Sequence, residues 1–454
     1  ERSSAASDVY KRQIYNKSPS FISIWKITWP IIIANLTLPI VTATDTAVMG
    51  REQSSTFIAA IALGGIVFNI IYFSLNFLRM STTGLVSQEK GRKNEEEIKK
   101  IIRLTLSIAI AIGFLIICSS YPLIEIAKIL ISGSEQAEHL MSEYIFYRSF
   151  ASPATLMNMV FLGVFIGIGS AKFAMFQLVS ISILNAILSI VFVLHFSLGV
   201  FGVALGTVIA QWAGCLLSIF MLIRIINYEH INFKTFFKFN FFSDKKFYSI
   251  FNISKDLFIR TLCIVFGEFI LINNAAKLNM NSLAVIQIYI VLLGFVAYIL
   301  DAFAHSAETL LGQSIGNKDK STSLVVIFKT FIFSLLLAIV LSILIFLIGF
   351  NIFEIFTSLD VILNECKKLF PYLLLLPIIS VWAFMLDGFF VGAAKSKPMR
   401  NSTLLAFCIF LILNYFIMLI NPNIQYLWLS YLIFLLLRGV FLSFYFNSLF
   451  LYDN

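Results

Sequence analysis

Apolar segments of about 20 residues recur along the whole chain, separated by short stretches that carry charge, glycine, proline or asparagine. Each segment is long enough to cross the hydrocarbon core of a bilayer as one helix. Backbone amides find no water there, so each segment must close its own hydrogen bonds, and the alternation typical of barrel strands is missing. The sequence therefore predicts an all-α integral membrane protein with twelve transmembrane helices: Thr28–Gly50, Phe57–Met80, Ile101–Tyr121, Tyr144–Phe165, Phe173–Phe196, Phe201–Ile226, Ser254–Leu278, Leu283–Leu311, Leu324–Phe350, Phe370–Val391, Leu404–Ile420 and Tyr426–Phe446.

Composition agrees with a chain that is embedded in lipid. Of the 454 residues, 59% are hydrophobic and 13% are charged, against roughly 25% charged in an ordinary soluble domain. Such a chain has too few polar residues to cover a soluble globule, so membrane lipid is an expected partner. The five cysteines show no paired spacing, which predicts neither a disulfide framework nor a metal site.

The net charge of +9 is unevenly distributed among the connections between predicted spans. If the N-terminus is cytoplasmic, most lysines and arginines fall on the cytoplasmic side, including a cluster from Lys90 to Arg103. This bias predicts that both termini are cytoplasmic. We expect a multi-pass protein of the plasma membrane, the inner membrane of a bacterium, with no nucleic-acid partner.

Two short motifs recur with the same separation and divide the chain into halves. QEKGRK, which begins at Gln88 after the second span, returns as QSIGNK from Gln313 after the eighth, and GVFIG, which begins at Gly163 after the fourth, returns as GFFVG from Gly388 after the tenth. Because each half has an even number of spans, both insert the same way up, as two six-helix bundles related by a pseudo-two-fold axis along the membrane normal. That organisation is typical of transporters that open to alternate sides. We predict a disordered or non-native leader (1–20), an N-terminal six-helix bundle (21–226), a cytoplasmic linker (227–250) and a C-terminal six-helix bundle (251–454).

The first span contains a carboxylate that needs an explanation. An ionised Asp45 in a bilayer costs several kcal/mol, so such residues by default line ion or substrate pathways. Asn35, Thr42 and Asp45 fall on one sector of the helix, and Pro30 and Pro39 predict kinks. The alternative is a structural aspartate held by neighbouring threonine hydroxyls.

Other polar side chains in the spans are further candidates. Asn185 and Ser189 in the fifth span, and Thr207 and Gln211 in the sixth, are each one turn apart and would complete a pocket around Asp45, or would simply join helices. Candidates in the second half are Glu268, Asp301, His305 and Asp387. For Asp301 and Asp387 the alternative is a buried ion pair with an arginine, and His305 is either a proton relay or a simply hydrogen-bonded side chain. The sequence has no HExxH, GxSxG or P-loop pattern, which predicts that the protein is not an enzyme.

Several motifs are similar to those of one transporter family. They are Trp29-Pro30 leading to Asp45-Thr-Ala-Val-Met-Gly50, the Gln88-x-x-Gly91 loop, Leu300-Asp301-Ala-Phe-Ala304, Leu386-Asp387-Gly388-Phe-Phe-Val-Gly392, Met399-Arg400-Asn401-Ser402 and Leu437-Arg438-Gly439. Together they resemble the multidrug and toxic compound extrusion (MATE) family, in its DNA-damage-inducible (DinF-type) branch. The resemblance runs from about Trp25 to about Phe446 and covers nearly the whole chain.

The resemblance implies cation-driven export of organic, often cationic and lipophilic compounds, by two bundles that alternate access. It implies that Asp45 accepts the proton and that Asn185 and Thr207 belong to its polar pocket. Many relatives carry a second aspartate where this chain has Ser189, which favours H+ over Na+ as the coupling ion. The alternatives are a sodium-coupled MATE exporter, a major-facilitator-type transporter and a lipid-linked oligosaccharide flippase. We expect no cofactor, a small organic substrate and a monomer.

Overall fold

A computed structural model of the protein describes residues 19–50, 55–130, 135–226 and 245–450. All regular structure within these ranges is helical. The helices in chain order are α1 Phe21–Gly50, α2 Ser55–Ser74, α3 Phe77–Arg92, α4 Glu95–Cys118, α5 Ser120–Leu130, α6 Glu135–Ser149, α7 Ser152–Ile168, α8 Ala171–Ile190, α9 Gly199–Ile226, α10 Lys245–Leu278, α11 Met280–Gly316, α12 Lys320–Ile348, α13 Asn351–Glu354, α14 Asp360–Gly392, α15 Ser396–Ile420 and α16 Ile424–Ser443.

The helices confirm the predicted fold class, and each predicted span overlaps one of them or a consecutive pair. Within the described ranges, nine helices are long and apolar enough to cross a membrane, and the bent pair α6 and α7 makes a tenth. α1 and α10 lie at the two remaining predicted spans. Many helices run past the apolar segments, because helical hydrogen bonds continue into the polar connections.

The second and third predicted spans each cross a short break, between α2 and α3 and between α4 and α5, and the fourth and fifth are interrupted more strongly. The fourth consists of α6 and α7, which meet at a bend of 54°. Pro153 lies in the first turn of α7 and has no N–H to bond the carbonyl of Ser149, which favours a break in the helix at this point. The fifth span ends in a π-helical turn, Val191–His195, in which the amide of Phe196 bonds the carbonyl of Val191 at 3.1 Å. Hydropathy detects neither feature.

The internal repeat is confirmed by the backbone. Lys93 and Lys318, which the repeated motifs place at equivalent positions, both have positive φ angles, of 57° and 56°. The next residues, Asn94 and Asp319, both cap the following helix with a side-chain oxygen. The two halves therefore leave their second helix through the same turn.

Helix packing repeats in the same way. A Cβ at Gly163 would lie 2.6 Å from the carbonyl oxygen of Arg79, and a Cβ at Gly388 would lie 2.7 Å from that of Ala304. The two contacts occupy equivalent positions in the repeat. In each half, glycine lets the second and fourth spans approach to backbone contact.

The chain packs as two compact units. Of the described residues, unit 1 contains those within Glu1–Trp29, Ser87–Lys93 and Asn252–Asn454, and unit 2 contains those within Pro30–Val86 and Asn94–Phe251. The predicted N-terminal bundle (21–226) therefore differs from unit 2, since the first turns of α1 and the end of α3 pack in unit 1. Almost all of the predicted leader and most of the predicted linker lie outside the described residues. Both assignments therefore stay predictions.

Within unit 1, the start of α1 packs on α11 and α12. The hydroxyls of Thr28 and Ser306 are hydrogen-bonded at 2.6 Å, and the ring of Trp25 lies 6.0 Å from that of Phe333. The end of α3 meets the end of α11 reciprocally: a Cβ at Gly91 would lie 2.1 Å from the carbonyl oxygen of Gln313, and one at Gly316 would lie 2.0 Å from that of Gln88.

Candidate functional site

The acidic end of the first span is described only in its backbone. α1 continues through Asp45 to Gly50, while the side chains of Thr42 and Asp45 lie outside the described part of the structure. Pro30 and Pro39 are both inside this helix. Each proline lacks an N–H, so the helix makes no i to i−4 backbone bond from these two positions.

Polar side chains of unit 2 connect α1, α8 and α9. The hydroxyl of Ser182 donates to Thr37 Oγ1 at 3.2 Å, and Asn185 Nδ2 donates to Thr207 Oγ1 at 2.9 Å. Thr207 in turn donates to the carbonyl of Val203. The structure thus brings together two predicted residues, Asn185 and Thr207, although their predicted role around Asp45 stays untested.

The amide of Asn185 is only half used among the described residues. Asn185 is 4% exposed, and its Oδ1 has no hydrogen-bond partner among them. Ser189, one turn further along α8, is fully buried, and Asn35 on α1 is buried as well. A buried amide oxygen without a donor is costly, and it is suited to accept a bond from a hydroxyl or a protonated carboxyl group.

Gln211 belongs to a second polar cluster. Asn158 of α7 donates to both the backbone carbonyl and the Oε1 of Gln211, at 2.9 and 3.0 Å. Gln177 of α8 donates to the carbonyl of Asn158 at 3.0 Å. The sequence placed Gln211 with Thr207 because the two share a helix face, but the side chain bonds α7. The sequence analysis did not select Asn158 and Gln177. Each is an amide side chain inside a predicted apolar span, and that signal alone could have identified them.

In unit 1, Asp387 is paired with two arginines. Arg260 of α10 and Arg438 of α16 both donate to Oδ2 of Asp387, Arg438 at 2.9 Å. All three residues are buried. A buried ion pair was the alternative that the sequence left open for Asp387, and the structure contains one with each arginine.

The other candidates of unit 1 have contacts of their own. His305 and Glu308, one turn apart on α11, approach at 3.3 Å between Nδ1 and Oε1. Asp301 interacts with Tyr298 of its own helix. Glu268 of α10 lies near the phenols of Tyr298 and Tyr431.

A further ion pair joins α10 to α15. Arg400 Nη1 lies 2.6 Å from Asp256 Oδ1, and the hydroxyl of Ser396 donates to Asp256 Oδ2 at 3.1 Å. The Met399-Arg400-Asn401-Ser402 motif thus supplies an ion pair between two helices. No group of three or more metal-ligating side chains occurs in the part of the chain that the structure describes.

Comparison with known proteins gives a consistent result. The family model MatE matches residues 30–191 and again 257–416. DNA damage-inducible protein F of Escherichia coli K12 is 32% identical over 426 residues, covering 93% of this chain and 91% of the relative. Multidrug export protein MepA of Staphylococcus aureus RF122 is 24% identical over 220 residues, 48% of this chain and 49% of that protein.

Solved structures share the fold. A transporter of the MOP superfamily from Pyrococcus furiosus, described as having a binding pocket of reverse polarity, superposes with a TM-score of 0.85 at 17% identity, covering 96% of this chain and 97% of that one. A multidrug resistance MATE transporter in an outward-facing conformation superposes with a TM-score of 0.83 at 16% identity, covering 96% and 98%.

Proposed function

Because the chain belongs to the MatE family of multi-pass membrane transporters, we propose that it exports organic, lipophilic cations in exchange for protons, with Asp45 as the proton-accepting group. Membership decides against a major-facilitator-type transporter, an oligosaccharide flippase and an enzyme. The coupling ion, the charge of the substrate and the role of each residue are the proposal.

The observation that carries the proposal is the set of bonded polar side chains beside α1. Thr37 is bonded to Ser182, and Asn185 is bonded to Thr207, inside helices that are otherwise apolar. Bonds between neutral side chains hold helices together by ~0.6 kcal/mol each in a membrane. They also provide acceptors and donors for a carboxyl group that changes its charge.

The helical register supports a place for Asp45 beside this set. Asp45 follows Thr37 by eight residues, about 12 Å along a helix, and Ser189 follows Ser182 by seven, about 10 Å. Because the first and fifth spans run in the same direction, the Thr37–Ser182 bond aligns Asp45 with the level of Ser189. One turn below, Asn185 Oδ1 is available to accept a bond.

The absence of a second carboxylate at Ser189 favours protons. Sodium and other hard cations are held by several oxygen ligands, and anionic oxygens strengthen such sites. A lone aspartate needs only to gain and lose one proton. Protonation removes its charge, permits a bond to a neighbouring acceptor, and favours a different bend of α1 at Pro30 or Pro39.

The test is efflux of a cationic dye from proteoliposomes under an imposed pH gradient. We expect Asp45→Asn to abolish pH-driven efflux, and Asp360→Asn, a change of an exposed aspartate at the start of α14, to leave it intact. Equal rates for the wild type and Asp45→Asn would overturn the assignment of Asp45.

A sodium gradient at equal pH on both sides tests the coupling ion. We expect no efflux under these conditions. Efflux that follows sodium and ignores pH would replace proton coupling with the sodium-coupled alternative. Efflux without either gradient would contradict secondary transport of this dye.

A further inference from the structure

The buried charges of unit 1 do not balance at Asp387. Arg260 and Arg438 converge on a single carboxylate oxygen, so the cluster has a net charge of +1. Arg260 is 7% exposed, Arg438 is 5% exposed and Asp387 is 9% exposed. A surplus charge inside a membrane helix bundle is costly, and such charges are by default functional.

Apart from Asp387, the described side chains that act electrostatically on Arg438 include no carboxylate. The side chains that act electrostatically on Arg438 are Asp387, Arg260 and the phenol of Tyr431. The ring of Phe434 lies 5.8 Å from its guanidinium carbon. A phenol and an aromatic face soften the excess charge, but neither is an anion.

The arginines also have unused donors. The Nε atoms of both Arg260 and Arg438 are buried and have no hydrogen-bond partner among the described residues. Each guanidinium makes its bond to Asp387 through one terminal nitrogen only. A guanidinium is a planar fork that matches the two oxygens of a carboxylate or phosphate, and here that capacity is largely unfilled.

The neighbouring ion pair provides a contrast within the same unit. Arg400 faces Asp256 one to one, and Ser396 adds a hydroxyl to the second carboxylate oxygen. That arrangement is balanced and needs no further partner. The Asp387 cluster has one cation more than it can satisfy.

From this geometry we infer that the Arg260–Asp387–Arg438 cluster of unit 1 is an anion-binding site for the carboxylate or phosphate headgroup of an amphiphile. Asp387 serves as the internal counter-ion that the bound headgroup displaces from part of the arginine pair. The site is separate from the proton chemistry assigned to Asp45 and does not depend on it.

The depth of the cluster fits an amphiphile. Asp387 and Arg438 each lie five residues before the end of their helix, about 7 Å along it. With the orientation predicted from lysine and arginine, those ends are cytoplasmic. A headgroup at that depth leaves its apolar tail in the hydrocarbon layer.

The test measures equilibrium binding to the purified full chain in nanodiscs of zwitterionic phosphatidylcholine. The probes are dodecyl phosphate, dodecanoate and dodecyltrimethylammonium, which share one tail and differ in headgroup charge. We expect the two anions to bind at least about tenfold more tightly than the cation, the effect of one charge-assisted hydrogen bond. No pH gradient is present, so failure of the proton-coupling proposal would leave this measurement unchanged.

Variants identify the site. Arg438→Gln should remove the preference for anions, while Arg400→Gln, which breaks the balanced pair, should retain it. Asp387→Asn keeps both arginines and removes their competitor, so it should bind the anions more tightly by about tenfold. It also provides a second test if Arg438→Gln does not fold.

Competition distinguishes two sources of the headgroup. Nanodiscs that contain phosphatidylglycerol should weaken the binding of dodecyl phosphate if a membrane lipid occupies the site, and inorganic phosphate should do so if a free anion does. Equal affinity for all three probes would overturn the proposal. So would an anion preference that persists in Arg438→Gln, or anion binding that is no tighter in Asp387→Asn.

Discussion

The bond between Asn185 and Thr207 is the most informative single contact of the candidate site. It joins α8 to α9 through an amide and a hydroxyl that are both buried. It also fixes the amide orientation, because Nδ2 faces Thr207 and Oδ1 is left to accept. A change at Thr207 therefore alters the orientation of the group that we place beside Asp45.

Thr207→Val removes the acceptor without changing the shape of the side chain much. We expect a loss of stability of about 1 kcal/mol, because both amide ends of Asn185 then lack a described partner. We also expect slower pH-driven efflux. Thermal unfolding in detergent and dye efflux from proteoliposomes measure the two effects.

Thr105→Val is the matched control. Thr105 is also buried in unit 2, but its hydroxyl donates to carbonyls of its own helix, at Ile101 and Ile102. It should retain near wild-type efflux. If both valine variants transport equally well, the Asn185–Thr207 bond is only a structural link.

Sequence periodicity predicted which of these residues share a face, and it could predict no more. Asn185 and Thr207 were assigned to one pocket correctly as neighbours. Gln211 lies one helical turn from Thr207 and was assigned to the same pocket, yet its side chain accepts a hydrogen bond from Asn158 of α7. A helix face contacts more than one neighbour, so the partner depends on packing between helices, which a single sequence does not contain.

At the scale of elements, α3 and α11 approach to backbone contact at Gly91 and Gly316. A Cβ added at either glycine would lie about 2 Å from a backbone carbonyl oxygen of the opposite helix. A backbone atom cannot rotate away as a side chain can. The pair therefore tolerates no Cβ without moving one of the helices.

Gly316→Ala should destabilise the protein by about 1–3 kcal/mol, the usual cost of overpacking. Gly294→Ala, in the same helix α11, is the control, since no atom lies within 4 Å of its added Cβ. Thermal unfolding of the two variants provides the comparison. Equal midpoints would mean that the helix ends separate without cost.

The cap of α12 provides a pH-dependent prediction outside the spans. Hydrogen bonds from the hydroxyl of Ser321 and from the amide and hydroxyl of Thr322 lower the pKa of Asp319 below its usual value. A carboxylate with a lowered pKa stabilises the folded state above its unfolded pKa, and the contribution is lost as the pH falls through the folded pKa.

Asp319→Asn keeps a good cap but removes the titration. The melting-temperature difference between the wild type and Asp319→Asn should therefore shrink as the pH is lowered below the range of ordinary aspartates. Because Asp319 is only partly buried, the change should be small. A difference that is constant with pH would show that Asp319 has no charge-dependent role in the cap.

Hydropathy predicted the elements well because every span needs about 20 apolar residues to cross the bilayer. The interruptions were invisible to it, since the bend before Pro153 and the π turn after Ile190 depend on single backbone bonds. The common separation of the repeated motifs predicted more than the existence of two halves. Residues at this separation form equivalent turns, helix caps and glycine contacts in the two halves, because each of these features depends on only one or two residues.

For the whole molecule, the predicted boundaries between halves differ from those of the compact units. Unit 1 includes α1 up to Trp29 and the last turns of α3 from Ser87. The sequence assigned both to the N-terminal bundle because it assigned whole spans. Where a helix passes from one unit to the other, its composition need not change, so the sequence does not reveal the boundary. Of the boundaries within helices, the one in α1 coincides with Pro30.

The orientation of the whole chain is the prediction that links the sequence to the direction of transport. The lysine and arginine bias places the connection after α11 in the cytoplasm and the connection after α15 outside. Asn317 and Asn421 are exposed residues of these two connections, so Asn317→Cys and Asn421→Cys form a matched pair in a cysteine-free background. A membrane-impermeant maleimide should label Asn421→Cys in right-side-out vesicles and Asn317→Cys only in inside-out vesicles. The reverse pattern would invert the topology, and it would place the Asp387 cluster near the outer surface and Asp45 in the inner half of the membrane.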